Sequence, residues 1–120
     1  MATRDQNLRV LIVEDEALVA MLIEDVIAEL GHESVGVAAR LEAGLAMAKE
    51  TDADFAVVDL KLNGERTYAI AEVLLRRGIR FMFVTGYGAA AVDAGWRGQV
   101  VVQKPFEVDE FERAMARALM

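Results

Sequence analysis

The sequence of 120 residues contains no cysteine. This absence excludes a disulfide framework, a thiolate zinc site and a thiol nucleophile, and it is more natural in an intracellular protein than in a secreted one. No apolar run approaches the roughly 18 residues that a membrane helix requires. The polar opening residues, 1–8, also lack the charged, apolar and small-residue regions of a signal peptide. We therefore predict a soluble, cytoplasmic protein that makes no membrane contact.

Basic charge is also scarce. Lysine and arginine total 13 against 20 acidic residues, which gives a formal net charge of -7. A protein that binds nucleic acid needs a basic stripe to neutralise phosphates, so the composition argues against direct DNA or RNA binding. No repeat, linker or low-complexity tract interrupts the sequence. Its length and its hydrophobic content of 55% fit a single domain over residues 1–120.

Short apolar runs alternate along the chain with stretches of helical periodicity. The runs predict five buried strands, at residues 10–13, 34–39, 55–59, 81–84 and 99–103. Apolar residues at helical spacing predict helices at residues 16–30, 41–50 and 67–77 and a last one at the end of the chain. The apolar pattern of the first helix consists of Leu18, Met21, Leu22 and Val26, with Val19, Ile23 and Ile27 beside them. Strict alternation implies a parallel sheet with helices on both faces, a doubly wound three-layer α/β fold.

Glycines mark the points where the helical pattern should break. Gly31 and Gly78 follow the first and third helices, where a residue in a left-handed conformation commonly closes a helix. Residues 86–99 contain four of the nine glycines. An interior glycine costs a helix about 0.5–1 kcal/mol relative to alanine. Any helix in this segment is therefore predicted to be short or loosely held.

Polar side chains follow four of the predicted strands. Glu14 and Asp15 come after the first strand, Asp59 ends the third, Thr85 follows the fourth, and Lys104 follows the fifth. The carboxyl ends of parallel strands meet at one edge of a sheet, where open α/β sheets bind their ligands. We therefore expect these five side chains to lie together.

Three neighbouring carboxylates raise one another's proton affinity unless a cation lies among them. A hard cation with oxygen ligands is the simplest solution, and Mg²⁺ is the first candidate because it takes few carboxylates together with a phosphoryl oxygen. A hydroxyl and an ammonium on the opposite side suit a dianionic group. The pattern predicts phosphorylation of an aspartate.

Each of these residues also has a plainer interpretation. Glu14 and Asp15 are suited to cap the first helix. Asp59 is suited to a turn at the end of a strand, and Thr85 to the strand itself. Lys104 is equally compatible with an ordinary surface lysine. A shared position at one edge of the sheet is what favours a site.

Two other residues stand out. Trp96 lies in the glycine-rich segment, where it either anchors a partner protein or pins its own loop, and the sequence does not decide between the two. His32 follows Gly31 and is far in sequence from the strand-end acids. We interpret it as a surface turn residue rather than a phosphoryl donor.

Four motifs, taken in order, resemble the receiver domain of two-component response regulators over essentially the whole chain. They are residues 10–16 (VLIVEDE), 59–64 (DLKLNG), Thr85 and 104–106 (KPF). The resemblance implies the flavodoxin-like (βα)5 receiver fold with a five-stranded parallel sheet. Residues 83–87 (FVTGY) are also similar to the FAT GUY subgroup, whose signature is Phe-Ala-Thr-Gly-aromatic, although Val84 stands where that signature has alanine.

The resemblance implies a role for each matched residue. Asp59 would accept a phosphoryl group from a kinase phosphohistidine. Thr85 would bind a phosphoryl oxygen, and Lys104 would pair with the same group. The bond between Lys104 and Pro105 would be cis.

Mg²⁺ is the cofactor that the resemblance implies. Asp15 and Asp59 would ligate it directly, Glu14 would act through a water molecule, and the backbone carbonyl of Lys61 would complete the protein ligands.

One departure from the family bears on mechanism. Many receivers keep a Phe or Tyr three residues before the lysine, and this aromatic turns inward when the threonine moves to the phosphoryl group. Here that position is Val101. We hypothesise that Tyr87, which lies between Gly86 and Gly88, is the mobile aromatic instead, because the two glycines give its backbone freedom.

The implied function is a phosphorylation-activated receiver in a two-component system or phosphorelay, signalling through a changed protein-binding surface. Its partners would be a sensor histidine kinase or phosphotransfer protein and a downstream protein, with a phosphorylation-dependent dimer left open. It would catalyse only its own phosphorylation and dephosphorylation, not a reaction on an outside substrate.

Two other functions compete with this one. A phosphohydrolase of the haloacid dehalogenase type also uses an aspartyl nucleophile and Mg²⁺, but it places a second Asp two residues later, where this chain has Lys61. An interaction module that has abandoned phosphorylation is the other alternative. Val101 keeps it open, whereas the intact Asp59, Thr85 and Lys104 argue against it.

Overall fold

The structure is a computed structural model that describes residues 7–120. The strands in this range are β1 (Arg9–Val13), β2 (Glu33–Ala38), β3 (Phe55–Asp59), β4 (Lys61–Leu62), β5 (Glu65–Arg66), β6 (Arg80–Thr85) and β7 (Val101–Gln103). The helices are α1 (Ala17–Glu29), α2 (Leu41–Glu50), α3 (Tyr68–Arg76) and α4 (Val108–Leu119). The prediction that residues 1–8 form no signal peptide falls mostly outside the described residues. No helix within residues 7–120 has the length and apolar character needed to cross a bilayer.

Five of the strands form one parallel sheet in the order β2-β1-β3-β6-β7. This confirms the predicted doubly wound α/β fold. Strand β3 is central because it pairs with β1 on one side and β6 on the other, and all five of its residues are buried. Its uninterrupted apolar run follows from this position, since a central strand of a parallel sheet is covered on both faces.

Helices cover both faces of the sheet and divide the core into two clusters. Successive residues of a strand point to opposite faces, so Ala56 and Val58 join one cluster, and Phe55 and Val57 join the other. Helices α2 and α3 close the first cluster, and α1 and α4 close the second. The alternation fixes which way the carboxylate at the end of β3 leaves the sheet.

Helix α1 buries only some of the residues in its predicted apolar pattern. Leu18, Met21 and Leu22 are 80%, 57% and 46% exposed. The helix carries more apolar residues than its inner face can hold, and the buried positions are Ala20, Ile23, Val26 and Ile27. An apolar patch on the outer surface of α1 is the result.

Two helices end as the glycine positions predict. Gly31 and Gly78 have positive φ values, 91° and 74°. After α3, the N–H of Gly78 donates to the carbonyl of Leu75 at 3.0 Å, and that of Ile79 donates to the carbonyl of Leu74 at 2.9 Å. This is the Schellman arrangement, which satisfies carbonyls at the helix end.

The glycine-rich segment contains two short 3-10 turns, Ala89–Ala91 and Ala94–Trp96, in place of a fourth crossover helix. This agrees with the prediction that any helix there is short. Trp96 pins the segment to the body of the domain, because its ring stacks on Tyr68 with centroids 5.4 Å apart and contacts Phe83 edge-on at 6.0 Å. The hydroxyl of Tyr68 also accepts a hydrogen bond from the N–H of Asp93 at 2.8 Å.

A small antiparallel hairpin, β4–β5, follows the central strand where the sequence predicts only a loop. Its turn is Asn63-Gly64, and both residues have positive φ values, 51° and 86°. Asn-Gly is the strongest short-range signal for a two-residue hairpin turn. The signal was therefore present in the sequence, although the strands it joins are only two residues long.

Substituting Gly78 tests the positive-φ helix end. Gly78→Ala should lower the free energy of unfolding by about 1 kcal/mol, because a Cβ is disfavoured in the left-handed region. Gly98→Ala is the matched control, since no heavy atom lies within 4 Å of a Cβ at either position and Gly98 lacks the positive φ. Its effect should stay within about 0.5 kcal/mol. Equal effects in urea denaturation would contradict this explanation.

Candidate functional site

The five strand-end residues converge at the carboxyl edge of the sheet, as the sequence predicts. Lys104 Nζ lies 3.3 Å from Asp59 Oδ2 and 3.4 Å from Glu14 Oε1. The backbone N–H of Lys104 donates to the carbonyl of Thr85 at 2.8 Å, which joins the ends of β6 and β7. The bond from Lys104 to Pro105 is cis. A cavity of about 640 Å³ opens over this edge.

Glu14, Asp15 and Asp59 form an acidic cluster, and Asp15 and Asp59 line the cavity. Each offers a carboxylate oxygen, and these oxygens lie within 4.8 Å of one another. Glu14 is 1% exposed and Asp59 6% exposed. Two of the three charges are thus largely removed from water, which is costly without compensation.

The protonation equilibria of the site reflect this burial. Burial raises the pKa of Glu14 to about 8, and the neighbouring Asp59 charge acts in the same direction. Burial alone would lower the pKa of Lys104, but the Asp59 and Glu14 carboxylates outweigh burial and raise it. The ammonium of Lys104 is therefore stabilised in its charged form by the acids that it contacts.

The donor set fits Mg²⁺. Carboxylate oxygens within 4.8 Å of one another are the hard ligands that this ion prefers. Asp15 is oriented by the backbone N–H of Asn63, which donates to its Oδ2 at 2.9 Å. The N–H of Lys61 donates to Asp59 Oδ1 at 3.3 Å, so the loop that would supply the Lys61 carbonyl lies against the same acids. The individual ligand assignments stay predictions.

Thr85 lies at the end of β6 and is buried. Its Oγ1 accepts a hydrogen bond from the backbone N–H of Tyr87 at 3.1 Å. A hydroxyl that accepts one bond still has its proton to donate. Thr85 can thus donate to an anion in the cavity, which it lines, while it remains linked to the segment that follows.

Tyr87 lies at the rim of the cavity and is 74% exposed. Lys61 Nζ lies 5.6 Å from the centre of its ring, on the ring face. Such a cation-π contact at an exposed site contributes about 0.5–1 kcal/mol. The structure thus places the side chain of Lys61 against Tyr87, a contact that the sequence does not reveal.

Thr67 and Glu16 are parts of the site to which the sequence analysis assigns no role. Thr67 is fully buried, and its Oγ1 donates to the carbonyls of Asp59 at 2.7 Å and Leu60 at 3.2 Å. It thereby fixes the backbone at the end of β3. Glu16 Oε1 lies 3.4 Å from Lys104 Nζ, and the Glu16 N–H donates to Glu14 Oε2 at 3.0 Å. A threonine before a helix indicates a cap rather than this role, so the sequence signal for Thr67 is misleading.

His32 lies apart from the acidic cluster, as the sequence predicts. Its Nδ1 accepts a hydrogen bond from the N–H of Leu8 at 3.1 Å, at the opposite end of β1. The structure therefore gives it a place in the turn between α1 and β2.

A doubly wound five-stranded sheet with paired acids after β1, an acid ending β3, a hydroxyl ending β6 and a lysine after β7 defines the receiver class of α/β domains. A family model described as the response regulator receiver domain matches residues 10–116, and the chain belongs to that family. The finer FAT GUY assignment stays a prediction. A comparison with curated proteins found no match.

Several solved structures are similar to this chain. The solution structure of SdrG from Sphingomonas melonis Fr1 has 37% identity and a TM-score of 0.86, covering 95% of this chain and 98% of that one. The BeF3-activated conformation of SdrG, attributed to Pseudomonas melonis Fr1, has 38% identity and a TM-score of 0.79, covering 92% and 94%. The anti-anti-sigma factor PhyR from Bartonella quintana has 27% identity and a TM-score of 0.83, covering 98% of this chain and 49% of that one.

The raised pKa of Glu14 predicts a pH-dependent stability. Because its folded-state pKa of about 8 lies above the ordinary 4.5, its stabilising contribution is fully present below about pH 4.5. That contribution is lost as the pH rises through about 8. The free energy of unfolding in urea, measured without divalent cations, should fall over this range. Added Mg²⁺ should reduce the fall, because a cation favours the ionised form.

Glu14→Gln is the matched control, since it keeps the shape of the side chain and cannot ionise. Its unfolding free energy should depend less on pH over the same range. An unchanged slope in this variant would show that Glu14 is not the group responsible.

Proposed function

We propose that this chain is a phosphorylation-controlled signalling switch in a two-component or phosphorelay system. Asp59 accepts a phosphoryl group from a histidine kinase or phosphotransfer protein, and the output is a changed protein-binding surface. The observation that carries the proposal is the position of Asp59. It is a buried carboxylate at the end of the central strand, 3.3 Å from Lys104 and within 4.8 Å of two further acids.

The chemistry follows from this arrangement. A carboxylate oxygen of Asp59 attacks phosphorus, the phosphorus–nitrogen bond of the donor breaks, and the imidazole leaves with the bonding electrons. Lys104 and Thr85 bind the oxygens of the transferred group. Bound Mg²⁺ would supply charge neutralisation among the acids, held by Asp15 and Asp59, by Glu14 through water and by the carbonyl of Lys61.

The structure supports a signalling module over an enzyme that acts on outside substrates. Receiver domains are signalling modules, and the chain belongs to that family. The position that carries a second Asp in haloacid dehalogenase-type hydrolases is Lys61 here. Its side chain carries an ammonium in place of that carboxyl group and lies on the Tyr87 ring. A cytoplasmic setting stays a prediction from the sequence.

The physiological phosphodonor is a protein that docks on the domain, although a small acyl phosphate can also donate. The exposed apolar patch on α1 reaches the site, since Val19 and Leu22 line the cavity together with Pro105 and Phe106. Exposed apolar patches beside a reactive group are typical of docking surfaces. A partner that covers this patch brings its own reactive side chain over Asp59.

Phosphorylation by a small donor tests the central proposal. With an acyl phosphate and Mg²⁺, the parent protein should gain the mass of one phosphoryl group, and Asp59→Asn should gain none because the amide is a poor nucleophile. Lys104→Met should bind beryllofluoride more weakly than the parent. Intact-mass spectrometry and beryllofluoride titration give the measurements.

Two outcomes would contradict the proposal. Continuous release of inorganic phosphate over many turnovers would indicate a hydrolase. An identical beryllofluoride response in the parent and Asp59→Asn would indicate a module that does not use phosphorylation.

Docking on α1 is tested by Leu22→Glu. The charge should slow phosphoryl transfer from a histidine kinase that phosphorylates the parent protein by roughly tenfold, which corresponds to about 1.4 kcal/mol of lost contact. Transfer from a small acyl phosphate should be unchanged. Leu75→Glu is the control, because Leu75 is similarly exposed but lies on α3, which covers the other face of the sheet. Equal slowing by both variants, or slowing with the small donor, would rule out a specific docking surface.

A further inference from the structure

The hairpin β4–β5 carries two cations that the proposed chemistry leaves unused. Lys61 and Arg66 are partners in the antiparallel ladder, so their side chains leave from the same face of the hairpin. Like charges directly opposite each other are unfavourable unless each finds a partner. Both partners lie in residues 86–99. Arg66 Nη1 donates to the carbonyl of Ala91 at 3.2 Å, and Lys61 Nζ lies over the Tyr87 ring at 5.6 Å.

The two contacts differ in their distance from the phosphoacceptor. Lys61 is two residues from Asp59, its N–H donates to Asp59 Oδ1 at 3.3 Å, and it lines the site cavity with Tyr87. Arg66 is not among the residues that line this cavity in the described part of the chain. Only the Lys61 contact is therefore placed to sense a change of charge on Asp59.

Phosphorylation changes what surrounds the Lys61 ammonium. The single charge of the Asp59 carboxylate is replaced by a dianionic group whose oxygens project into the cavity that Lys61 lines. A charge-assisted hydrogen bond to a phosphoryl oxygen is stronger than the contact of an ammonium with an exposed tyrosine ring. The ammonium is joined to the backbone by four methylene groups, so it can turn from one partner to the other without moving the hairpin.

We propose that Lys61 exchanges partners on phosphorylation: its ammonium leaves the ring of Tyr87 and pairs with a phosphoryl oxygen, which releases Tyr87 while Arg66 still holds Ala91. This inference rests on the proposed phosphorylation of Asp59 and adds a second route by which phosphorylation changes the surface. The first route runs through Thr85, whose Oγ1 accepts a hydrogen bond from the N–H of Tyr87. Lys61 is thus a positioning residue for residues 86–99 as well as a contact for the phosphoryl group.

Nuclear magnetic resonance of tyrosine rings tests the exchange. The chain has two tyrosines, so selective labelling gives two sets of ring signals, and a Tyr87→Phe spectrum assigns them. In the parent protein, beryllofluoride with Mg²⁺ should shift the Tyr87 signals. In Lys61→Met, which keeps the length of the side chain and removes its charge, the signals should already be displaced without beryllofluoride. The further shift should be smaller than in the parent, because only the route through Thr85 remains. Lys61→Arg should restore the full shift.

Arg66→Gln is the matched control. It removes the other cation of the same face, and the beryllofluoride-induced shift of Tyr87 should survive. A normal Tyr87 response in Lys61→Met would overturn the proposal and leave Thr85 as the route. Loss of the response in Arg66→Gln as well would also overturn it, because the effect would then belong to the hairpin as a whole.

The backbone amide of Thr85 separates this proposal from the one on which it rests. If the Thr85 amide shifts with beryllofluoride in the parent and in Lys61→Met, the phosphoryl mimic binds in both, and the Tyr87 signals decide the role of Lys61. If the Thr85 amide does not shift in the parent, the proposed function fails, and the exchange of Lys61 fails with it.

Discussion

The contact between Lys104 and the buried acids is the interaction on which the rest of the site depends. The parallel sheet brings the ends of β1 and β3 side by side, and with them Glu14 and Asp59, both largely shielded from water. Lys104 Nζ lies within 3.4 Å of an oxygen of each and also reaches Glu16. Its single positive charge faces two carboxyl groups that are largely buried, and burial raises the pKa of Glu14 to about 8. The fold therefore gathers buried carboxyl groups around one lysine, an arrangement that a divalent cation and a phosphoryl group together would stabilise.

The elements that sequence reasoning found are those set by local physics. A five-residue apolar run ending on Asp59 identifies the buried central strand, because solvent is excluded from both of its faces. Gly31 and Gly78 identify helix ends, because the left-handed region disfavours other residues. Strand-end positions identify the site, because all parallel strands present their carboxyl ends at one edge.

The features that it missed depend on contacts between distant parts of the chain. Nothing local distinguishes Leu18 and Leu22 from the buried residues of α1, since exposure depends on how the helix is rotated against the sheet. Thr67 resembles a helix cap, but its hydroxyl donates a hydrogen bond to the carbonyl of Asp59. The Lys61–Tyr87 contact joins a hairpin to a segment more than twenty residues away. Asn63-Gly64 indicates the hairpin turn, but the two strands are too short to show a periodic pattern.

Trp96 also gives the domain a built-in optical label. It is the one tryptophan of the sequence, and it belongs to the 3-10 turns that take the place of a crossover helix. Its indole stacks on Tyr68 and meets Phe83 edge-on, so its emission depends on how closely residues 86–99 lie against the body of the domain. Rearrangement of that segment can therefore be followed in real time in the unmodified protein, at concentrations far below those that resonance methods need.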